Sequence, residues 1–551
     1  MNRRLSVGHW SVFVSLAVSL ALRLFVGLTQ PIDYNGYWHV FIARNLTREY
    51  AGLAHPPLFL LLLKLADSVS HSRLAYRAVP ILAGVGCVWM VYKILRRVGA
   101  LEWVAVLGAM AMATSASAIS LSCEVQSYSL AVFLILWSFL YYLDVVDPEP
   151  ERVSRRSRAA FSILACCALL AEYFAGLYLI ACVLAPLLVG ILRPSSGRRL
   201  LRSIPKRWLA DVLTLLPPMA VGALLYELIA KPWIRQLNHL PEFYYVPGRE
   251  TAAAFLTRTL ASLFDLFSPV PLSSPAWAAA LVLGLSVTAL VAMFTEPARD
   301  SEVEERTQPA ACFAILLGLG MALGLAAKYP FGGAMRQQFL LFLFALLAGF
   351  LAFDRLARSL SAAKLQRILA AACALAIAGN VFLQRETFRP RGPEDFAAQT
   401  VVFESAFPGD RTVQVDQLNL IGFFITHHDW NWKFAGREPA NWAVERYLLE
   451  KGARRYTLIA HRDRWNLDFQ DAALYPALRS ALHAGDPPCF SVFCVHTNLY
   501  KPPQRRLPDL DAARTTEGIV TLAPKAGETP GGIVIRGNDV YAELCVPDSA
   551  R

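Results

Sequence analysis

Nearly all the long apolar runs of this 551-residue chain fall between residues 10 and 383, and several are long enough to cross a bilayer. About 20 apolar residues span the hydrocarbon core as a helix. A chain in lipid must also satisfy its own backbone hydrogen bonds, which limits spanning runs of this length to helices. The body, residues 1–383, is therefore expected to be an all-α polytopic membrane domain with about eleven transmembrane helices. Residues 384–551 lack such runs and read as a soluble domain. There, β-like stretches (412–415, 456–459, 490–495) alternate with helix-like ones at about 442–452 and 470–483, which predicts a small α/β domain.

The basic residues set the orientation. Lys and Arg gather in short loops between apolar runs, and that bias marks the cytoplasmic side. The net charge of +11 therefore reflects topology and is no nucleic-acid footprint. Arg3 and Arg4 keep the N-terminus inside, a retained first span covers about 10–29, and Asp33 emerges outside. Residues 30–78 stay outside, with His55-Pro56-Pro57 opening a short interfacial helix. Spans follow at about 79–95, 102–120 and 126–143, with Ser122–Gln126 as a tight outer turn. Basic clusters flank the run 161–192 on both sides, so it goes out and comes back. Glu172 then sits at an outer turn and avoids mid-bilayer, where a carboxylate costs about 2.5–3.5 kcal/mol or more. Further spans at about 208–230, 276–294, 310–327, 337–353 and 367–383 leave residues 384–551 outside the plasma (inner) membrane. Seven cysteines, Cys87 to Cys373, lie in or beside apolar runs as small hydrophobes. In the soluble part, Cys489 and Cys494 are candidates for a disulfide in an oxidising compartment.

This path brings polar residues from five loops to one face: Asp33, Asn35 and His39; His55; Glu124 and Gln126; Glu172 and Tyr173; Lys231 to Glu242; Lys328 and Arg336. Taken singly, each reads as a hydrated interfacial residue. Taken together they predict a site, because charges beside a membrane are costly unless they are used. Tyr128, Tyr173 and Trp38 either stack on a ligand or form the interfacial aromatic belt. His427-His428-Asp429 reads as solvated surface, since neighbours on a strand point to opposite faces.

Three of these features together resemble the GT-C glycosyltransferases, closest to the protein O-mannosyltransferase and aminoarabinose transferase group. They are Asp33 after the first span, His55-Pro56-Pro57-Leu58 before an apolar helix, and Glu124-Val125-Gln126-Ser127-Tyr128 opening the fourth span. Tyr329 to Gly333 followed by Arg336-Gln337-Gln338 is similar to a later motif of bacterial members. The resemblance implies a polyprenyl-phosphate-linked sugar donor and transfer to a lipid, glycan or protein acceptor. It makes Asp33 the base towards the acceptor hydroxyl, a weak nucleophile until its proton is taken. Direct displacement inverts the anomeric centre, and the departing phosphate needs cations: Arg336 first, then Lys328 and Lys231. Relatives often carry two adjacent acids in the first loop, but here Tyr34 and Asn35 follow Asp33, so Glu124 is the candidate for the second acid. His55, Gln126, Tyr128 and Tyr173 are expected to line the substrate site, and His55 with Glu124 is the candidate pair for a divalent metal ion.

A transporter or flippase for a lipid-linked or polar solute is the competing reading. It predicts broken helices or charges near the midplane, and repeated halves.

Overall fold

The computed structural model describes residues 7–30, 55–146 apart from 71, 154–192, 210–231 apart from 212, 250–267, 302–331, 335–388 apart from 361, six C-terminal strands and a few single positions. It divides into two units, Met1–Thr29 with Ala43–Pro390 and Gln30–Ile42 with Arg391–Arg551.

The first unit is helical. Its helices are α1 (Val7–Thr29), α2 (Pro57–Val69), α3 (Arg73–Arg97), α4 (Glu102–Thr114), α5 (Ala116–Cys123), α6 (Tyr128–Val145), α7 (Arg155–Ala171), α8 (Ala175–Leu192), α9 (Leu213–Leu228), α10 (Ala252–Phe267), α11 (Glu302–Leu325), α12 (Met335–Ser359) and α13 (Ala363–Leu383). Among the described residues seven helices are long and apolar enough to span a membrane, or eight if α4 and α5 count as one bent span. The eleven-span reading also counts α7, α9 and the run at about 276–294, most of which lies outside the described residues. The run 161–192 folds as two helices, α7 and α8, with Glu172–Phe174 between them.

One span departs from its expected form. The run at about 102–120 breaks at Ser115 into α4 and α5, bent by 52°. Several backbone groups released there find partners, which an apolar medium favours. The Ser115 hydroxyl accepts from Ala118 N, and Ala116 N donates to Gln384 Oε1 at 2.7 Å. Arg23 Nη1 donates to Ala113 O at 3.1 Å, and Arg77 Nε to Cys123 O at 2.6 Å. The two arginines thus hold the carbonyl ends of both half-helices, where the helix dipole favours a cation.

The other end of the bundle is tied by Asp354, which is fully buried on α12. Its carboxylate accepts from Leu101 N at 2.7 Å, from Arg358 Nε at 2.7 Å and from Arg306 Nη2. Arg358 also donates to Gly99 O. The end of α3 and the starts of α4 and α11 therefore meet the end of α12, at the side that the charge pattern assigns to the cytoplasm. An outer pair, Arg97–Asp144 at 3.1 Å, is more than a third exposed on both sides.

The second unit contains a six-stranded sheet of β1 (Arg411–Gln414), β2 (Tyr456–His461), β3 (Cys489–Val495), β4 (Glu517–Leu522), β5 (Gly531–Arg536) and β6 (Asp539–Cys545), in the order β1-β2-β3-β6-β5-β4. The pairs β1–β2 and β2–β3 are parallel and the rest antiparallel. The expected helices of this domain and His427-His428-Asp429 lie outside the described residues. The Cys489–Cys494 disulfide is corrected. Both cysteines sit on β3, and five steps of about 3.3 Å separate them by far more than the roughly 7 Å limit for a bridge. The register sets Cys545 opposite Cys489.

Removing a partner from a buried ion pair leaves a stranded charge. Asp354→Ala is expected to cost about 3–5 kcal/mol, against about 0–1 kcal/mol for Asp144→Ala at the exposed pair. Thermal melts in one detergent would check this, and equal losses would contradict the buried hub.

Candidate active site

Two turns of the helical unit join at one carboxylate, and a third carries an arginine that acts on it. The first follows α5: with α5 ending at Cys123, the chain crosses Glu124–Ser127 before α6 begins at Tyr128. The second is the α7–α8 turn, where Ala175, Gly176 and Leu177 N–H groups return to Glu172, Tyr173 and Phe174 carbonyls. The third runs from the end of α11 to the first turn of α12. Phe331 anchors it, buried against α11, where a Cβ at Gly320 would come within 2.7 Å of its ring. Gln338 holds the same turn by donating to Phe331 O at 2.9 Å and to Ser262 Oγ on α10.

Glu172 is the meeting point, at 8% exposure. Its Oε2 accepts from Ser127 Oγ at 2.5 Å and its Oε1 from Tyr173 N at 3.2 Å. Arg336, on the first turn of α12, acts on it electrostatically. Burial pushes the Glu172 carboxyl above its ordinary value, opposed by the Ser127 hydroxyl, the Tyr173 N–H and the Arg336 charge. Tyr128 stacks on Phe174, with ring centroids 6.3 Å apart and planes 12° from parallel. The arrangement joins a carboxylate and a hydroxyl on turns that also carry paired aromatic rings, with a guanidinium acting on the carboxylate.

The predicted residues divide around this point. Gln126 and Tyr128 are buried, Glu124 and Tyr173 half-buried, all on the two turns that Ser127 and Glu172 join. Arg336 comes to the same carboxylate. Lys231 instead pairs with Glu227 one turn back, Nζ to Oε2 at 2.6 Å, so its charge is already engaged. Lys328 is exposed. His55 is half-buried just before α2, where Pro56 caps and Pro57 opens the helix. Asp33 lies outside the described residues. Among the described residues no three of His, Cys, Asp and Glu gather around a metal-sized space, so His55 and Glu124 find no third ligand there. Sequence reasoning used Glu172 as a topology marker and left it out of the final site. The signal was available, since a carboxylate between two apolar runs needs partners.

Residues 54–224 match the family model described as dolichyl-phosphate-mannose-protein mannosyltransferase. The match spans under a third of the chain. That segment includes His55, Glu124, Gln126, Tyr128, Glu172 and Tyr173, and stops short of Lys231, Lys328 and Arg336. The chain is also similar to two crystal structures of ArnT from Cupriavidus metallidurans. The apo form has 12% identity and a TM-score of 0.40, and the form bound to undecaprenyl phosphate has 11% and 0.35. Each alignment covers 98% of this chain and 98% of the other. No curated protein matches the chain by sequence.

A carboxyl whose folded value is raised stays protonated in the folded chain while the unfolded chain ionises. Stability is then lost as pH rises from the ordinary value of 4.5 towards the raised one. Glu172→Gln, which keeps an acceptor for Ser127, is expected to raise the melting temperature at pH 7 and to match wild type below pH 4.5. Melting curves at the two pH values would check it. A Gln variant less stable at pH 7 would mean that the Arg336 attraction outweighs burial.

Proposed function

We propose that the protein is an integral membrane glycosyltransferase that moves a hexosyl or pentosyl group from a polyprenyl-phosphate-linked donor to a lipid, glycan or protein acceptor at the outer face, with inversion. The match over residues 54–224 carries this reading, because the matched segment supplies both turns that join at Ser127 and Glu172. In this reading Asp33 takes the proton of the acceptor hydroxyl. Glu124 is the second acid, half-buried on the turn that Ser127 anchors. Arg336 receives the departing phosphate, which a guanidinium can hold with two parallel hydrogen bonds. Lys328, exposed at the same turn, draws the anionic donor in, and Lys231, held by Glu227, contributes less. Residues 384–551 form the extracytoplasmic domain and gate access or bind the acceptor.

The broken span is the one observation that favours a transporter, whose sites sit at discontinuous helices. Here, however, Arg23 and Gln384 take backbone groups at the break, and Arg77 takes the carbonyl of Cys123 at the far end of α5. A transporter would need some of those groups for its solute.

The test is transfer of labelled sugar from a polyprenyl-phosphate donor by the purified chain in vesicles, with mass spectrometry of co-purifying lipid to name the donor. Asp33→Asn is expected to abolish transfer and leave the protein inserted. Arg336→Ala is expected to weaken donor binding at least about tenfold, the loss of one charge-assisted contact of about 1.5–3 kcal/mol, and more than Lys328→Ala does. Solute flux without transfer would replace the reading with the transporter.

A further inference from the structure

The first span carries an arginine that the outer-face site does not touch. Arg23 lies six residues before the end of α1, about 9 Å along the helix at 1.5 Å per residue, and none of its surface is exposed. Its Nη1 donates to Ser19 Oγ at 2.6 Å, to Ser19 O at 3.3 Å and, across to α4, to Ala113 O at 3.1 Å. Its Nε and Nη2 are buried without a hydrogen bond among the described residues, and no carboxylate there pairs with it.

An arginine inside a bilayer costs about 2.5–3.5 kcal/mol or more, which an aliphatic residue would avoid. What the arginine gains is the end of α4. The last carbonyls of a helix lack intrahelical partners and carry about half a negative charge. The break turns this end inward, with Thr114 and Ser115 both buried. The surroundings are shaped to admit the guanidinium. A Cβ at Gly84 on α3 would lie 2.7 Å from Arg23 Nε and 2.6 Å from Ser122 Cβ, so α3 closes on α1 and α5 only because residue 84 is glycine.

From Arg23 to the site the connections are short. Leu22 and Val26 on α1 pack with Ile119 and Cys123 on α5, and Cys123 Sγ donates to Arg23 O. The next residue after α5 is Glu124, and Ser127 reaches Glu172. We propose that Arg23 is a positioning residue of the outer-face site, fixing the bend of the broken span and so the place where α5 delivers Glu124–Ser127. This rests on the glycosyltransferase reading above.

The test measures kcat and donor KM for Arg23→Met, Arg23→Lys and Gly84→Ala in the full-length protein in vesicles, per monodisperse molecule. Arg23→Met is expected to lower kcat about 10- to 100-fold, the scale of an ångström's misplacement at a reacting centre, with KM within about twofold. Arg23→Lys keeps a cation that can reach the Ala113 carbonyl and is expected to restore kcat to within about threefold of wild type. Gly84→Ala crowds the guanidinium without removing it and is expected to lower kcat in the same direction. Wild-type kcat in Arg23→Met, or equal kcat in the Met and Lys variants, overturns the proposal. If Arg23→Met does not accumulate in the membrane, unchanged kcat in Gly84→Ala overturns it instead. An inactive wild type would sink the functional reading itself, a result distinct from an active wild type with an active Arg23→Met.

Discussion

A helix that breaks inside a membrane has to find partners for the backbone groups the break releases, and much of the helical unit is arranged around that requirement. No water is present to take them, and each unmet group would cost several kcal/mol. The partners at Ser115 come from far along the chain. Arg23 is 90 residues from Ala113, and Gln384 is 268 residues from Ala116. The first span, the second span and the segment after the last one are thereby drawn to the same broken span. A straight helix at this place would have needed none of them. It would also have left the Glu124–Ser127 turn on a different axis.

The two ends of the bundle handle charge differently. At one end Asp354 faces two arginines and a backbone N–H, and Arg97–Asp144 and Arg158–Asp211 are further ion pairs. The effect of the Asp354 contacts is to fix helix ends against each other. At the other end a carboxyl group is kept where burial opposes its charge, with one hydroxyl, one N–H and a guanidinium to hold it. Polar groups arranged at some cost to stability are what a reacting site requires. A tight base under a less compensated rim suits the proposed transfer, in which a charged donor would enter and leave.

The apolar runs and the basic loops were readable because lipid imposes length and sidedness directly on the sequence. The α7–α8 hairpin was readable for the same reason, since Glu172 could not be left at mid-bilayer. The break at Ser115 was not. Ala113-Thr114-Ser115-Ala116 contains neither Pro nor Gly, and its stabilising partners are tertiary. Arg23 passed unnoticed because one cation within a long apolar run barely alters its hydropathy. The Cys489–Cys494 pairing failed because spacing along a chain says nothing about direction once the segment is a strand. Glu172 was found for its topology and missed for its chemistry, since Ser127 and Arg336 lie on other turns.

Arg23 and Glu172 belong to one design. One is a base and the other an acid, and both are buried. Arg23 grips the broken span where α4 ends, and Glu172 grips the turn that leaves it, through Ser127. Between them α5 and Glu124–Gln126 are held at both ends, with Arg77 on the carbonyl of Cys123 in the middle. A short helix of eight residues has little stability of its own, so its direction is set by these contacts more than by its sequence. Reacting groups must be held to within a fraction of an ångström to be effective. A flexible outer turn would have to gain that order whenever a donor binds. Held at both ends by buried polar groups, it would be ordered before the proposed donor arrives.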